Sequence, residues 1–304
     1  MGPSWFLDTG NYALNYIVSG DPKKGWPGGM ISELFGDPST GKTLLILKAC
    51  AAMQALGGQV IVFDAEGRWD AGFAKLHGVD PTSVIRNVPE TIEEFATSLG
   101  RVLDGVLEMK PIPRVLMCLD SLAILSTLDE MKTMGKTEDM GRRAKRIKAL
   151  MRAARTRIRD TEAIFLVSNH IIANPNPFQT PYTTTGGKGV FFQASVRVEM
   201  GKPKKITLKG KERPIGVTLT CKCTKNSLTP PFGECTMDMY WSKGVSKESG
   251  LVPMMKDLGI VEQIENGMWT YQGNNFYENN IEVIVAEHPE VLEDSKWALP
   301  YFKV

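Results

Sequence analysis

Apolar residues fall along the first two thirds of the chain in two alternating rhythms. Short uninterrupted runs, MISELFG, QVIVFDAE, RVLMCLDS and AIFLVSNH, are separated by stretches with helical spacing, such as KTLLILKACAAMQALGG with its glycine stop. Wholly apolar, β-branched runs alternating with helices predict a mostly parallel sheet buried on both faces and flanked by helices. Each run finishes in polar residues, at the carboxyl edge where such sheets place ligands. After about residue 190 the rhythm changes, and SVRVEMG, KITLKG and GVTLTCKCT are expected to form antiparallel ribbons that extend the sheet. From about 245, SGLVPMMKDLGIVEQ reads as helix and GMWTYQGNN as strand. The expected organisation is a short N-terminal segment (1–29), an α/β core (30–244) and a small α/β C-terminal lobe (245–304).

The 304 residues are 42% hydrophobic and 23% charged, a balance that permits a sizeable core. No run approaches ~18 apolar residues, and MGPSWFLDTG lacks the layout of a signal peptide, so the expectation is a soluble intracellular protein without a membrane partner. Five cysteines, an odd number in a chain of this size, point to free thiols. Cys221 and Cys223 share one face of a strand, and a zinc site would need two further ligands where only Cys235 is near. A net charge of +2 requires any polyanion to be held by local patches. Two exist: RRAKRIKALMRAARTRIR (142–159), with nine basic residues and no acid, and GKPKKITLKGKER (201–213).

GDPSTGKT, residues 36 to 43, matches G-x-x-x-x-G-K-[ST] between a strand and a helix, the context that motif requires. Gly36, Asp37, Pro38, Ser39, Thr40, Gly41, Lys42, Thr43 and the adjoining Leu44 are therefore the expected ATP-binding residues. Glycines allow backbone N–H groups to turn toward phosphates, Lys42 reaches the terminal ones, and the Thr43 hydroxyl ligates Mg²⁺. Asp120, ending RVLMCLDS, fits the acid that holds the Mg²⁺ water; a helix N-cap is its plainer role. Glu66 ends the strand of VIVFDAEGRWD, where a carboxylate can polarise water in line with a γ-phosphate. Phosphotransferases take their nucleophile from a substrate, so Glu66 favours hydrolysis over phosphotransfer. Asn169 and His170 end AIFLVSNH, where neutral donors could sense that phosphate.

A second glycine-rich stretch, IIANPNPFQTPYTTTGGKG, is too polar and too rich in Pro and Gly for regular structure, and it is longer than most loops. Lys188 is not followed by Ser or Thr, so this is no second nucleotide loop. Gly186 and Gly187 can bring backbone N–H groups to an anion while Thr184 and Thr185 offer hydroxyls, contacts that suit a nucleic-acid backbone. The basic helix downstream of 133–140 has Ala144, Ile147, Met151, Ala154 and Ile158 as its apolar stripe.

GDPSTGKT, FDAEGRWD, VLMCLDS, FLVSNH and TTTGGKGVFFQASVR, taken in order over about residues 30 to 235, resemble the motifs of a RecA-family DNA recombinase. His170 stands where bacterial members usually carry Gln and is similar there to the phage UvsX type. The resemblance implies a RecA-like P-loop NTPase core and a DNA-dependent ATPase that assembles as a helical filament on single-stranded DNA. Homologous pairing and strand exchange with double-stranded DNA follow, in a bacterial or phage-infected cytoplasm, with mediator and single-strand-binding proteins as further partners. By position it implies that Glu66 activates water and His170 links the γ-phosphate to the DNA loops. Asp70 and Phe73 pack around adenine, Lys225 reaches a neighbour's ATP, and Phe192 inserts into the next subunit. Residues 133–140 become the first DNA loop, with Met140, Arg142, Lys145 and Arg152 facing DNA. Thr184, Thr185, Gly186, Gly187 and Lys188 belong to the second. If each subunit neutralises ~2–3 phosphates, at a salt slope of roughly −0.7 per phosphate, one subunit binds weakly and cooperativity supplies the rest.

Three departures accompany the resemblance. Ser227 stands where a second basic residue is usual, which shifts the charge offered to a neighbour onto Lys225 or Lys222. FLDTGNYALNYIVSG lies almost directly before the phosphate loop, in place of the bacterial N-terminal arm, with GPSWF the candidate to dock instead. ALPYFKV carries no acidic tail. The rival readings are a RecA-fold ring helicase, and a regulatory paralogue that binds ATP but barely hydrolyses it.

Overall fold

The computed structural model describes residues 2–133, 140–174, 182–208, 210, 212–265 and 267–301. By the clustering of contacts the chain divides into two compact units, residues 1–7 with 27–200 and residues 8–26 with 201–304. The boundaries read from the sequence followed motif content, whereas these follow backbone proximity.

In the first unit, strands β1 (Ile31–Gly36), β2 (Gln59–Asp64), β3 (Val84–Asn87), β4 (Val115–Asp120), β5 (Ile164–Ala173), β6 (Tyr182–Thr184) and β7 (Val196–Met200) build one sheet. Its order is β7-β1-β5-β4-β2-β3, and each of these neighbouring pairs is parallel. β7 was expected in an antiparallel ribbon. It instead lies parallel to β1, with Arg197 opposite Glu33. The reason is its burial: Val196, Val198 and Met200 are enclosed, as a strand inside a parallel sheet requires. Among the described residues, β6 runs antiparallel, folding back on the end of β5.

Helices cover this sheet because their apolar stripes have nowhere else to go. Helix Ile92–Glu108 starts at a capping box of Thr91 and Glu94 and buries Ile92, Phe95, Leu99, Leu103 and Val106. Phe95 meets Phe63 edge to face at 4.9 Å, a contact worth about 0.5–1.5 kcal/mol beyond area burial. Helix Met140–Thr161 places Ile147, Met151, Ala154 and Ile158 of its expected stripe in the same core, while Ala144 is only half-buried.

In the second unit, strands Gly216–Asn226 and Glu234–Tyr240 form an antiparallel hairpin, with Lys204–Ile206 added antiparallel to the first. Cys221 and Cys235 face each other across it and, with Cys223, are buried free thiols. Helix Leu251–Asp257 and a three-stranded antiparallel sheet (262–277) enclose a separate core that includes Met255, Trp269, Phe276 and Ile284. The helical reading of SGLVPMMKDLGIVEQ holds only to Asp257. Its end becomes strand Glu262–Glu265, because Glu262 and Gln263 pair with Thr270 and Trp269. No helix among the described residues is long and apolar enough to cross a membrane.

Candidate functional site

Strand register assembles the site before any side chain is considered. Gly36 lies opposite His170 and Asp64 opposite Asp120. Leu119 opposite Val167 brings Asp120 beside Ser168.

At Gly36 a Cβ would stand 2.4 Å from the Met200 carbonyl oxygen, so glycine is required where β1 leaves the sheet. Gly41, at φ 87°, makes the left-handed turn into helix Lys42–Ala55. The Lys42 side chain folds back into the loop, its Nζ donating to the Gly36 carbonyl at 3.1 Å and the Asp37 carbonyl at 2.7 Å. Burial pushes the Lys42 ammonium below its ordinary pKa, against the pull of Asp120, Glu66 and Asp37. A buried ammonium held by neutral carbonyls suits an anionic phosphate.

Thr43 Oγ1 donates to Asp120 Oδ2 at 2.7 Å, and Ser168 Oγ donates to the other Asp120 oxygen. Burial pushes the Asp120 carboxyl up, while its bonds from Ser168 and Thr43 pull it down and Glu66 and Asp64 push it up again. Such a carboxylate gains from a cation. The hydroxyl and carboxylate oxygens of Thr43 and Asp120 are the hard donors Mg²⁺ prefers. Among the described residues no group of three or more His, Cys, Asp or Glu could hold a metal. Mg²⁺ therefore fits only in the way it commonly binds, through one or two protein oxygens plus substrate phosphates.

Glu66 is not a solvated strand-end acid. Its Oε1 accepts from Ser121 Oγ at 2.9 Å and lies 3.2 Å from His170 Nε2, while Arg68 Nη1 lies 3.3 Å from Oε2. Asp64 holds the turn that presents it. The buried Asp64 carboxylate accepts from the backbone N–H groups of Arg68 and Trp69 at 3.1 and 3.0 Å, and from Arg86 Nη2 at 2.6 Å. Asp70 caps the next helix, accepting from the Phe73 N–H at 2.6 Å, and the half-exposed Phe73 ring sits edge-on to His77 at 4.4 Å.

The second glycine stretch, expected to lack regular structure, starts on the end of β5 and includes β6, and its main chain is tied to β5 by a bond from Thr185 N to the His170 carbonyl at 3.3 Å. Residues 175–181 of this stretch and 134–139 of the expected first DNA loop lie outside the described residues. Thr184 and Thr185, expected to offer hydroxyls to a phosphate backbone, are buried in this conformation, and Thr184 Oγ1 accepts from Arg197 Nη2 at 3.2 Å. The glycines have a packing role the sequence did not reveal. A Cβ on Gly186 would meet Ile147 at 2.9 Å, and one on Gly189 would meet Lys148 at 2.9 Å, so this segment lies directly on the basic helix. Lys188 opens the short helix Lys188–Gln193, and Met140 opens the basic helix.

On that basic helix Arg142, Lys145 and Arg152 are exposed. Arg146 is committed to Glu93 and Asp129, and Arg157 to Asp104, so part of the positive run fastens the helix to its neighbours. Phe192 is 56% exposed, which sets aside the plain core role. Trp5 is engaged within its own unit, donating from Nε1 to the Glu162 carbonyl at 2.9 Å. In the second unit Lys225 is half-buried, Lys222 pairs loosely with Glu234 at 3.9 Å, and Ser227 is exposed. Ser121, Ser168, Glu33 and Arg197 went unnoticed in the sequence, since no local motif marks them.

The family model described as the RecA N-terminal domain matches residues 6–246. A "Protein RecA" from Mycobacterium avium is 30% identical over 299 residues, covering 96% of this chain and 81% of that protein. Another from Phytoplasma mali is 30% identical over 292 residues, covering 94% and 82%. One from Streptomyces rimosus is 29% identical over 275 residues, covering 89% and 70%.

Proposed function

Because the chain belongs to the RecA family, we propose that its phosphate loop and its second glycine stretch are the two ends of one device, coupled through His170. The protein is an ATP-dependent recombinase, and its enzymatic step is DNA-dependent hydrolysis of ATP. Proteins of this family bind DNA and form filaments. For this chain the finer reading is a filament on single-stranded DNA that pairs it with a homologous duplex in the bacterial cytoplasm.

The observation that carries the coupling is the double engagement of His170. Its ring reaches the candidate base, with Nε2 3.2 Å from Glu66 Oε1, while its carbonyl accepts from Thr185 in the second glycine stretch. A shift of one strand end therefore reaches both sites.

Lys42 and the loop N–H groups would hold the triphosphate, and Thr43 and Asp120 would hold Mg²⁺, which would neutralise phosphate charge. Glu66 orients water and takes its proton; Ser121 keeps the carboxylate aimed, and its Oε2, 3.3 Å from the exposed Arg68, has lone pairs to accept from water. His170 leaves Glu66 when it engages the phosphate, and its strand draws the Thr184–Gly187 segment with it. Exposed Lys145 and Arg152 then add phosphate contacts, and Phe192 supplies an apolar contact for the next subunit.

The test is ATP turnover with and without an oligo(dT) strand, in the wild type and in Lys42→Ala. Stimulation by the strand in the wild type alone is the expected result. Full stimulated turnover in Lys42→Ala would overturn the site, and an unstimulated wild type would overturn the coupling. Helical filaments rather than closed six-fold rings on the same strand, seen by electron microscopy, separate a recombinase from a ring motor.

A further inference from the structure

Behind His170 lies a charged group that the hydrolytic chemistry does not use. Glu33, in the middle of β1, is fully buried, and both its oxygens are engaged. Oε1 accepts from Asn169 Nδ2 at 2.8 Å and Oε2 accepts from Arg197 Nε. Arg197, on β7, also donates from Nη2 to Thr184 Oγ1 at 3.2 Å. Asn169 Nδ2 donates a second time, to the Thr185 carbonyl at 2.9 Å, and its Oδ1 accepts from the His170 N–H at 2.9 Å. Because Thr184 and Thr185 are adjacent, these bonds close a ring: Glu33, Arg197, Thr184, Thr185, Asn169 and back to Glu33. The guanidinium also stacks between aromatic faces, 4.4 Å from the Phe35 ring centre and 5.0 Å from that of Phe191.

We infer that this buried ring is a positioning device, which locks the stem of the second glycine stretch to the nucleotide-sensing strand so that both move as one body. The inference rests on the proposed coupling and names the residues that make it rigid. A buried ion pair in an apolar sheet gives little stability over a hydrophobic pair of similar volume, so stability alone does not explain its presence here. What the pair gives is geometry. The planar fork of Arg197 serves Glu33 and Thr184 at once, and the Asn169 amide serves Glu33 and Thr185 at once. Asn169 on β5 and the residues at the end of β6 thus cannot separate without breaking both the Arg197–Thr184 and the Asn169–Thr185 hydrogen bonds inside a buried site.

The test compares Glu33→Met, Arg197→Met and the double variant for melting temperature and for ATP turnover with and without oligo(dT). Each single variant removes one member of the buried Glu33–Arg197 pair and is expected to melt well below the wild type. The double variant removes both charges together and is expected to recover melting temperature and unstimulated turnover. Its stimulation by oligo(dT) is nonetheless expected to fall at least about fivefold, the lower end of ordinary coupling between sites. Recovery of stimulation along with stability would overturn the inference, since the pair would then be structural only. Should the double variant not fold, Arg197→Lys decides: it keeps the charge beside Glu33 but lacks the fork, and wild-type stimulation there would overturn the inference equally. An unstimulated wild type would sink the proposed coupling itself, a different failure from a stimulated wild type with a stimulated double variant.

Discussion

Glu66 shows how much of its proposed catalytic role depends on neighbours distant in sequence. Its carboxylate accepts from Ser121 just beyond β4, lies 3.2 Å from His170 of β5 and is flanked by Arg68 from its own turn. A carboxylate has roughly four acceptor sites, so these contacts leave room for water. Glu66→Gln keeps the size and the bond from Ser121 but cannot accept a proton. Turnover is expected to fall by about 10²–10⁴, the usual value of a positioned base, while nucleotide affinity stays close to wild type. Single-turnover hydrolysis and equilibrium binding of ATP, measured side by side, check this; a parallel loss of both would instead make Glu66 a binding residue.

Among the elements, the helix Ala71–Leu76 joins the candidate adenine contacts to the stability of the fold. Asp70 caps its start, and His77 at its end is buried against Phe73, with no hydrogen-bond partner for Nδ1 among the described residues. Burial first, and Lys48 second, push the His77 imidazole below its ordinary 6.5. A depressed pKa means the folded state resists protonation that the unfolded chain accepts. The stability this provides is whole above 6.5 and is lost as pH falls through the folded value. Thermal melting from about pH 7 to about pH 5 is therefore expected to fall more steeply in the wild type than in His77→Leu. Equal slopes would show that His77 protonates as easily folded as unfolded. The basic helix teaches a related lesson, because Arg146 and Arg157 fasten it in place and leave residues such as Lys145 and Arg152 to meet solvent.

For the whole molecule, the decisive question is assembly. Phe192 is exposed beside Phe191 on a helix that rests on the basic helix, so an apolar surface is held on a rigid support next to the second glycine stretch. An exposed aromatic of this kind is a typical anchor for a partner surface. Phe192→Ala is expected to leave the unfolding free energy of the free chain within about 0.5 kcal/mol of wild type, as for a surface change. It should remove most of the cooperativity of oligo(dT) binding. Sedimentation with ATP and oligo(dT) reads this directly, and filaments of unchanged length would assign Phe192 no part in the interface.

Local sequence determined whatever depends on spacing within a few residues. Gly36 to Thr43, the strand-end acids Glu66 and Asp120, and the stripe Ile147, Met151, Ala154, Ile158 were readable because a loop, a strand end and a helix face each have their own period. Tertiary structure decided what depends on register between distant strands. Arg197 lies in SVRVEMG, expected to form an antiparallel ribbon; only parallel pairing of β7 with β1 sets it opposite Glu33. Ser121 and Ser168 carry no motif, and meet Glu66 and Asp120 only through the alignment of β2, β4 and β5. The physical reason is that a parallel sheet is set by long-range hydrogen bonds, so which polar ends meet is a property of strand order that no short window of residues contains.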